Sequence, residues 1–144
     1  MQVKEVMTPG VECVQPIDSI AAAAQKMKDL DVGALPVCGD DARLKGMITD
    51  RDITVRAVAE RCDPAGTCVK DIMTPNIIYV FEDQDVTEAA RLMKENQIRR
   101  LVVVNNDKRL VGIVSLGDVA VDTRDEELAG ATLEAVSEPA EPRR

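Results

Sequence analysis

Two short strings carry the residue types that can hold a ligand: Gly46-Met47-Ile48-Thr49-Asp50-Arg51-Asp52 and Gly112-Ile113-Val114-Ser115-Leu116-Gly117-Asp118. Each runs glycine, two aliphatics, a hydroxyl residue, two variable positions and an aspartate. The glycine permits close backbone approach. The hydroxyl, with the amides of a first helical turn, can hold a phosphate or another polar group. The aspartate one turn on offers two acceptors to a ribose diol. The same spacing is also a helix capping box, in which hydroxyl and carboxylate satisfy backbone amides. One copy alone favours the cap. The pattern occurs twice, with Asp both times where Glu or Gln would cap as well, and this shifts the balance toward binding.

Other chemistry is scarce. The chain has no histidine, which removes the commonest general base and the histidine-activated nucleophiles. Asp50, Asp52 and Asp118 have no nucleophile–base pair, phosphate loop or metal cluster around them in the sequence, so no enzyme and no catalytic residue is expected. Cys62 and Cys68 bracket a turn with five residues between them, wider than the two-to-four spacing of zinc ligands. No metal site is expected.

The elements that position the two strings are themselves duplicated. Val3-Lys4-Glu5-Val6-Met7-Thr8-Pro9 returns 66 residues later as Val69-Lys70-Asp71-Ile72-Met73-Thr74-Pro75, and 17 of 51 positions between residues 3–53 and 69–119 are identical. Chance similarity does not hold one register for so long. Val11–Val14 and Ile77–Phe81 read as strands after a Thr-Pro turn. A helix follows in each copy. Asp18 or Ser19 caps the first, with Ile20, Ala23, Ala24, Met27 and Leu30 on one face. Asp85 and Glu88 make a capping-box pair for the second, with Val86, Ala89, Ala90 and Met93 as its stripe. Leu35–Cys38 with Leu44–Ile48, and Leu101–Val104 with Leu110–Val114, read as hairpins. A second helix starts near Asp50 and near Leu116. The unit is β-α-β-β-α, and the fold class is α+β. The expected organisation is repeat 1 over 1–61, a linker over 62–68, repeat 2 over 69–122 and an acidic, flexible tail over 123–144.

Composition narrows the partners. Of 144 residues, 45% are apolar, and the only aromatics are Tyr79 and Phe81, so the core must be aliphatic. The net charge is −8, half of it in residues 121–144. Nucleic acid is not expected, because it needs a basic stripe and stacking surfaces. No apolar stretch approaches the roughly 18 residues of a membrane span, and no secretory signal is seen. A cytoplasmic protein with reduced thiols is the expectation.

The sequence resembles the CBS (cystathionine β-synthase) domain repeat. The resemblance rests on the Met7-Thr8-Pro9 opening, the Leu35-Pro36-Val37 strand and the two Gly-to-Asp strings. It covers residues 1 to about 122, and its motifs are specific in combination though weak singly. It implies two repeats packed with pseudo-twofold symmetry, a homodimer, and adenosine-containing ligands (AMP, ADP, ATP, S-adenosylmethionine or NAD) in clefts between the repeats. The resemblance implies no required cofactor, with the adenosyl nucleotide as a regulatory ligand. Asp52 and Asp118 would then hold ribose hydroxyls, and Thr49 and Ser115 would contact the phosphate or ribose side. Thr8, Val11, Leu35 and Pro36 would wall one base pocket, and Thr74, Ile77, Leu101 and Val102 the other. Departures make the two sites unequal: Pro36 becomes Val102, and Gly33-Ala34 becomes Arg99-Arg100, which would offer charge-assisted contacts to phosphate or remain solvated. In a CBS-like sheet Cys13 and Cys38 would lie on neighbouring strands, as a disulfide or as two buried thiols. With no effector domain in the sequence, the output is expected through an unidentified protein partner or a change in assembly. The competing expectation is a ligand-free structural or stress-response protein acting through protein partners.

Overall fold

The computed structural model describes residues 1–122 and 126–137. In chain order its elements are a 3-10 turn at Val3–Glu5, then β1 (Thr8–Pro9), α1 (Ile20–Leu30), β2 (Ala34–Cys38), β3 (Leu44–Thr49) and α2 (Asp50–Asp52), which runs into a π-helical stretch, Ile53–Val58. The second half holds α3 (Val69–Ile72), β4 (Thr74–Pro75), β5 (Tyr79–Phe81), α4 (Val86–Asn96), β6 (Arg100–Val104), β7 (Leu110–Ser115), α5 (Leu116–Asp122) and α6 (Glu126–Ser137). The mixed helix-and-sheet class is the one expected.

The chain forms two compact units, and these do not coincide with the two sequence copies. One, here the first-copy unit, comprises Glu12–Ile77 and Asp107–Leu110; the second-copy unit comprises Met1–Val11, Ile78–Asn106 and Val111–Arg144. The opening segment of each copy therefore belongs to the unit built on the other copy.

In the first-copy unit the sheet order is β2-β3-β4. Leu35 pairs with Ile48 and Pro36 with Met47 across the hairpin, while Met47 and Gly46 pair with Thr74 and Pro75 of β4. Ile20, Met27, Leu35, Val37, Ile48 and Val69 pack into one aliphatic core. Ser19 caps α1 by accepting from the Ala22 amide at 3.1 Å. Asp31, with φ 55°, ends the helix in the left-handed region, and the Val32 amide returns to the Met27 carbonyl, a common helix stop.

In the second-copy unit the order is β1-β7-β6-β5. Thr8 pairs with Ile113 and Pro9 with Gly112, antiparallel, and Tyr79–Phe81 pairs in parallel with Val102–Val104. Val3, Val80, Met93, Leu101, Val103 and Val114 form its core. Full burial of one such aliphatic side chain stabilises by about 1.5–3 kcal/mol, so Val3 ties the opening turn firmly to this unit.

Several local expectations need correction. Val11–Val14 is not a strand: only Val14 bridges, in parallel, to Val37. Ala24 and Leu30 lie outside the buried face of α1, which is carried by Ile20, Ala23 and Met27. Asp85 caps α4 by accepting from the amide and hydroxyl of Thr87, but Glu88 turns outward to Arg91 rather than back to the cap. The tail expected to be flexible is helical over Glu126–Ser137. This stretch is rich in good helix formers, and it gains a buried face: Thr132 is 1% exposed, and Val136 joins the second-copy core. The rest of that expectation, over 123–125 and 138–144, lies outside the described residues.

Candidate functional site

Each Gly-to-Asp string is placed where a β-hairpin strand turns into a helix. In the first-copy unit, Thr49 is the N-cap of α2. Its hydroxyl accepts from the Asp52 amide at 3.0 Å, and Asp52 Oδ2 accepts from the Thr49 amide at 3.0 Å. In the second-copy unit, Ser115 Oγ accepts from the Asp118 amide at 3.1 Å, and Asp118 Oδ2 accepts from the Ser115 amide at 2.8 Å. The capping box is real in both. It leaves each hydroxyl with its own proton to donate, and each carboxylate with a second oxygen.

The second oxygens differ. Asp52 Oδ1 lies 3.9 Å from Nε of Arg56, one turn along. The corresponding position in the other copy is Asp122, so no cation can answer Asp118 from there. The Asp118 Oδ1 atom accepts no hydrogen bond among the described residues.

The glycines that open the strings do a different job from the one expected. A Cβ on Gly46 would stand 2.6 Å from the Thr74 carbonyl oxygen, and one on Gly112 would stand 2.7 Å from that of Thr8. The close approach is therefore to the Met-Thr-Pro opening segments of the chain itself. This regroups the expected pocket walls. Thr8 and Val11 fall in the second-copy unit with Ser115, Asp118, Arg99, Arg100, Leu101 and Val102; Thr74 and Ile77 fall in the first-copy unit with Thr49, Asp52, Leu35 and Pro36. Thr8 and Thr74 are exposed, and Val11 and Ile77 half-buried. Leu35 and Leu101 are core side chains, each 2% exposed, because the alternation of the strand turns them inward with Val37 and Val103. Pro36 and Val102 are buried as well.

The second-copy junction opens onto a cavity of about 470 Å³, within the range of small-ligand sites. Its lining is Arg99 and Arg100, Ser115 at the end of β7, Leu116, Gly117 and Ala120 of α5, and Gly130 and Leu133 of α6. Both arginines are exposed. Arg99 donates from Nη2 to Ser137 Oγ at 3.5 Å, a long contact that an anion would readily replace. Sequence reasoning found Arg99, Arg100 and Ser115. It missed Gly130 and Leu133, because they lie in the stretch taken for a flexible tail. The signal that would have found them is the run of helix formers from Glu126 to Val136.

The cysteines are free thiols, so the Cys13–Cys38 disulfide left open by the sequence is not formed. Burial, and then the adjacent Cys13 thiol, push Cys38 up to about 12. Among the described residues no group of three or more Cys, Asp or Glu could hold a metal ion, and no helix is long and apolar enough to cross a membrane.

A duplicated hydroxyl–aspartate box, each copy at a hairpin-to-helix junction, defines a tandem-repeat α+β protein with one junction per repeat. The chain belongs to the CBS domain family, whose model matches residues 3–58 and 69–121. It is 42% identical over 117 residues to Hypoxic response protein 1 of Mycobacterium tuberculosis, covering 81% of each chain. A crystal structure of Hypoxic Response Protein I with two coordinated zinc ions superposes with a TM-score of 0.76 at 41% identity, covering 83% of this chain and 97% of that one. CBSX2 in complex with AMP gives 0.73 at 30% identity, covering 88% and 98%. The CBS domain pair of MJ0100 with 5′-methylthioadenosine and S-adenosyl-L-methionine gives 0.72 at 28%, covering 88% and 98%.

Proposed function

We propose that this chain is a non-catalytic regulatory module that binds an adenosine-containing ligand, of the AMP, ADP, ATP, S-adenosylmethionine or NAD type, at the strand-to-helix junctions of its repeats. The observation that carries the reading is the second-copy cavity, where two exposed arginines and a hydroxyl with a free proton meet an apolar wall. Ser115 and the arginines suit a phosphate, and Asp118 Oδ1, which accepts no hydrogen bond among the described residues, suits a ribose hydroxyl. The CBS pairs solved with AMP and with S-adenosyl-L-methionine support the same ligand class. The first-copy junction offers Thr49 and Asp52, but Gly33-Ala34 stands there in place of the arginine pair. It is the weaker site. The reading includes a homodimer, which the family resemblance implies, and keeps the expected cytoplasmic location and separate protein partner as output.

A ligand-free role through protein partners is the rival. One observation favours it: both boxes complete their helix caps without any ligand. Thermal shift against a panel of adenosyl compounds separates the two. A ligand at 100 times its Kd stabilises the folded state by about 2.7 kcal/mol. Absence of a shift with every compound at millimolar concentration would leave the ligand-free role. Hydrogen bonds to a charged group contribute about 1.5–3 kcal/mol each. The Arg99→Ala/Arg100→Ala variant should therefore bind AMP at least about tenfold more weakly by calorimetry, and unchanged affinity would remove the arginines from the site.

A further inference from the structure

Two glycines line the second-copy cavity, and neither the backbone nor the packing asks for them. Gly117 is in the first turn of α5 and Gly130 is in the middle of α6. Neither has the positive φ that favours glycine. A Cβ on Gly130 would meet nothing within 4 Å, and one on Gly117 would meet only Ser115 Oγ, at 3.6 Å. Glycine inside a helix is less stable than alanine at the same place. What the missing side chains preserve is open space in front of Ser115, Arg99 and Arg100.

Leu133 follows Gly130 by three positions, so both lie on one face of α6. Leu133 is 47% exposed, an apolar side chain held at the cavity edge beside a bare stretch of helix. The helix is fixed there by Thr132 and Val136, which are buried. It lies beyond the residues that match the family model, so this wall is a property of the chain and not of the repeat.

From this we propose that α6 forms the base-side wall of the second-copy site, with Gly130 and Leu133 selecting a nucleoside monophosphate. The flat heteroaromatic ring lies against Gly130 and Leu133, and the phosphate faces Arg99 and Arg100. This rests on the adenosine-ligand reading above and adds to it the wall, its determinants and the single phosphate. Two guanidinium charges match a phosphate dianion, whereas a triphosphate would bring about twice the charge.

The test is calorimetric titration of the full chain with AMP. Gly130→Phe places a ring in the space that a Cβ there would leave open. It should lose one binding equivalent, or weaken AMP at least tenfold, with a melting temperature no lower than that of the parent chain. Gly130→Ala should bind within about twofold of the parent and melt higher, as the helix propensities require. Leu133→Ser, at an exposed position, should weaken AMP severalfold without lowering the melting temperature, and it serves should Gly130→Phe fold poorly. Binding of AMP by the parent with unchanged stoichiometry and affinity in Gly130→Phe and Leu133→Ser overturns the wall alone. Binding of ATP more tightly than AMP overturns the single-phosphate selection. No binding of AMP by the parent chain overturns the adenosine reading, and the wall with it.

Discussion

Asp52 and Asp118 occupy the same place in two copies and make the same cap, yet their surroundings differ. Arg56 stands beside Asp52, and the residue at the matching place in the other copy is Asp122. A carboxylate that already has a cation beside it gains less from a ligand hydroxyl than one with a free oxygen. At the same scale, the cysteines yield a prediction. Cys38 is fully buried, and its thiol is pushed up to about 12 by burial and by Cys13. The nucleophile is the thiolate, and a thiol with its pKa this high stays protonated at pH 8. Iodoacetamide at pH 8 should therefore leave Cys38 unlabelled in the native protein. After unfolding, all four cysteines should label without reductant; only two labelled sites would mean a bridge that the structure lacks.

The opening segments and the hairpin strands explain each other at the scale of elements. Thr8–Pro9 and Thr74–Pro75 lie beside β7 and β3, and they come so close to Gly112 and Gly46 that no side chain fits between. The obstacle is a main-chain carbonyl, which cannot swing aside as a flexible side chain would. Gly46→Ala and Gly112→Ala should each destabilise by about 1–3 kcal/mol, the usual cost of overpacking. Chemical denaturation would show this as a lower midpoint with an unchanged slope. An unaltered midpoint in both would mean that the strands slide apart at no cost. The duplicated Gly and Met-Thr-Pro motifs were legible in the sequence, but their partnership was not, because it joins segments from different copies.

Across the whole molecule, neither sequence copy contains a complete unit. Residues 12–77 hold nearly all of the first-copy unit, lacking only Asp107–Leu110, whereas residues 1–66 carry an opening segment that belongs to the other unit and lack the one that completes their own. Val69 and Ile72, buried in the first-copy core, come from that missing segment. Two fragments of equal length, 12–77 and 1–66, should thus differ: the first should show more helical circular dichroism and slower amide exchange. The reverse order would show that sequence repeat, not spatial unit, sets the folding boundary. The exchange also makes it hard for either half to be lost without damage to the other, since Val3 and Val6 sit in the second-copy core.

Composition, period and local motif were enough to settle the duplication, the α+β class, the helix starts at residues 18–19 and at Asp85, the aliphatic core and the position of both hydroxyl–aspartate boxes. These depend on side-chain spacing along one element, and spacing is written in the chain. Three things were decided only in three dimensions. The opening segments change units because a glycine in one copy leaves room for a backbone from the other. Leu35 and Leu101 are buried because strand alternation turns them into the cores. The second-copy cavity gains α6 because Thr132 and Val136 find a buried place there, which brings Gly130 and Leu133 to its lining. Each depends on contacts between residues far apart in sequence, and local pattern carries no record of which distant surface an element will meet.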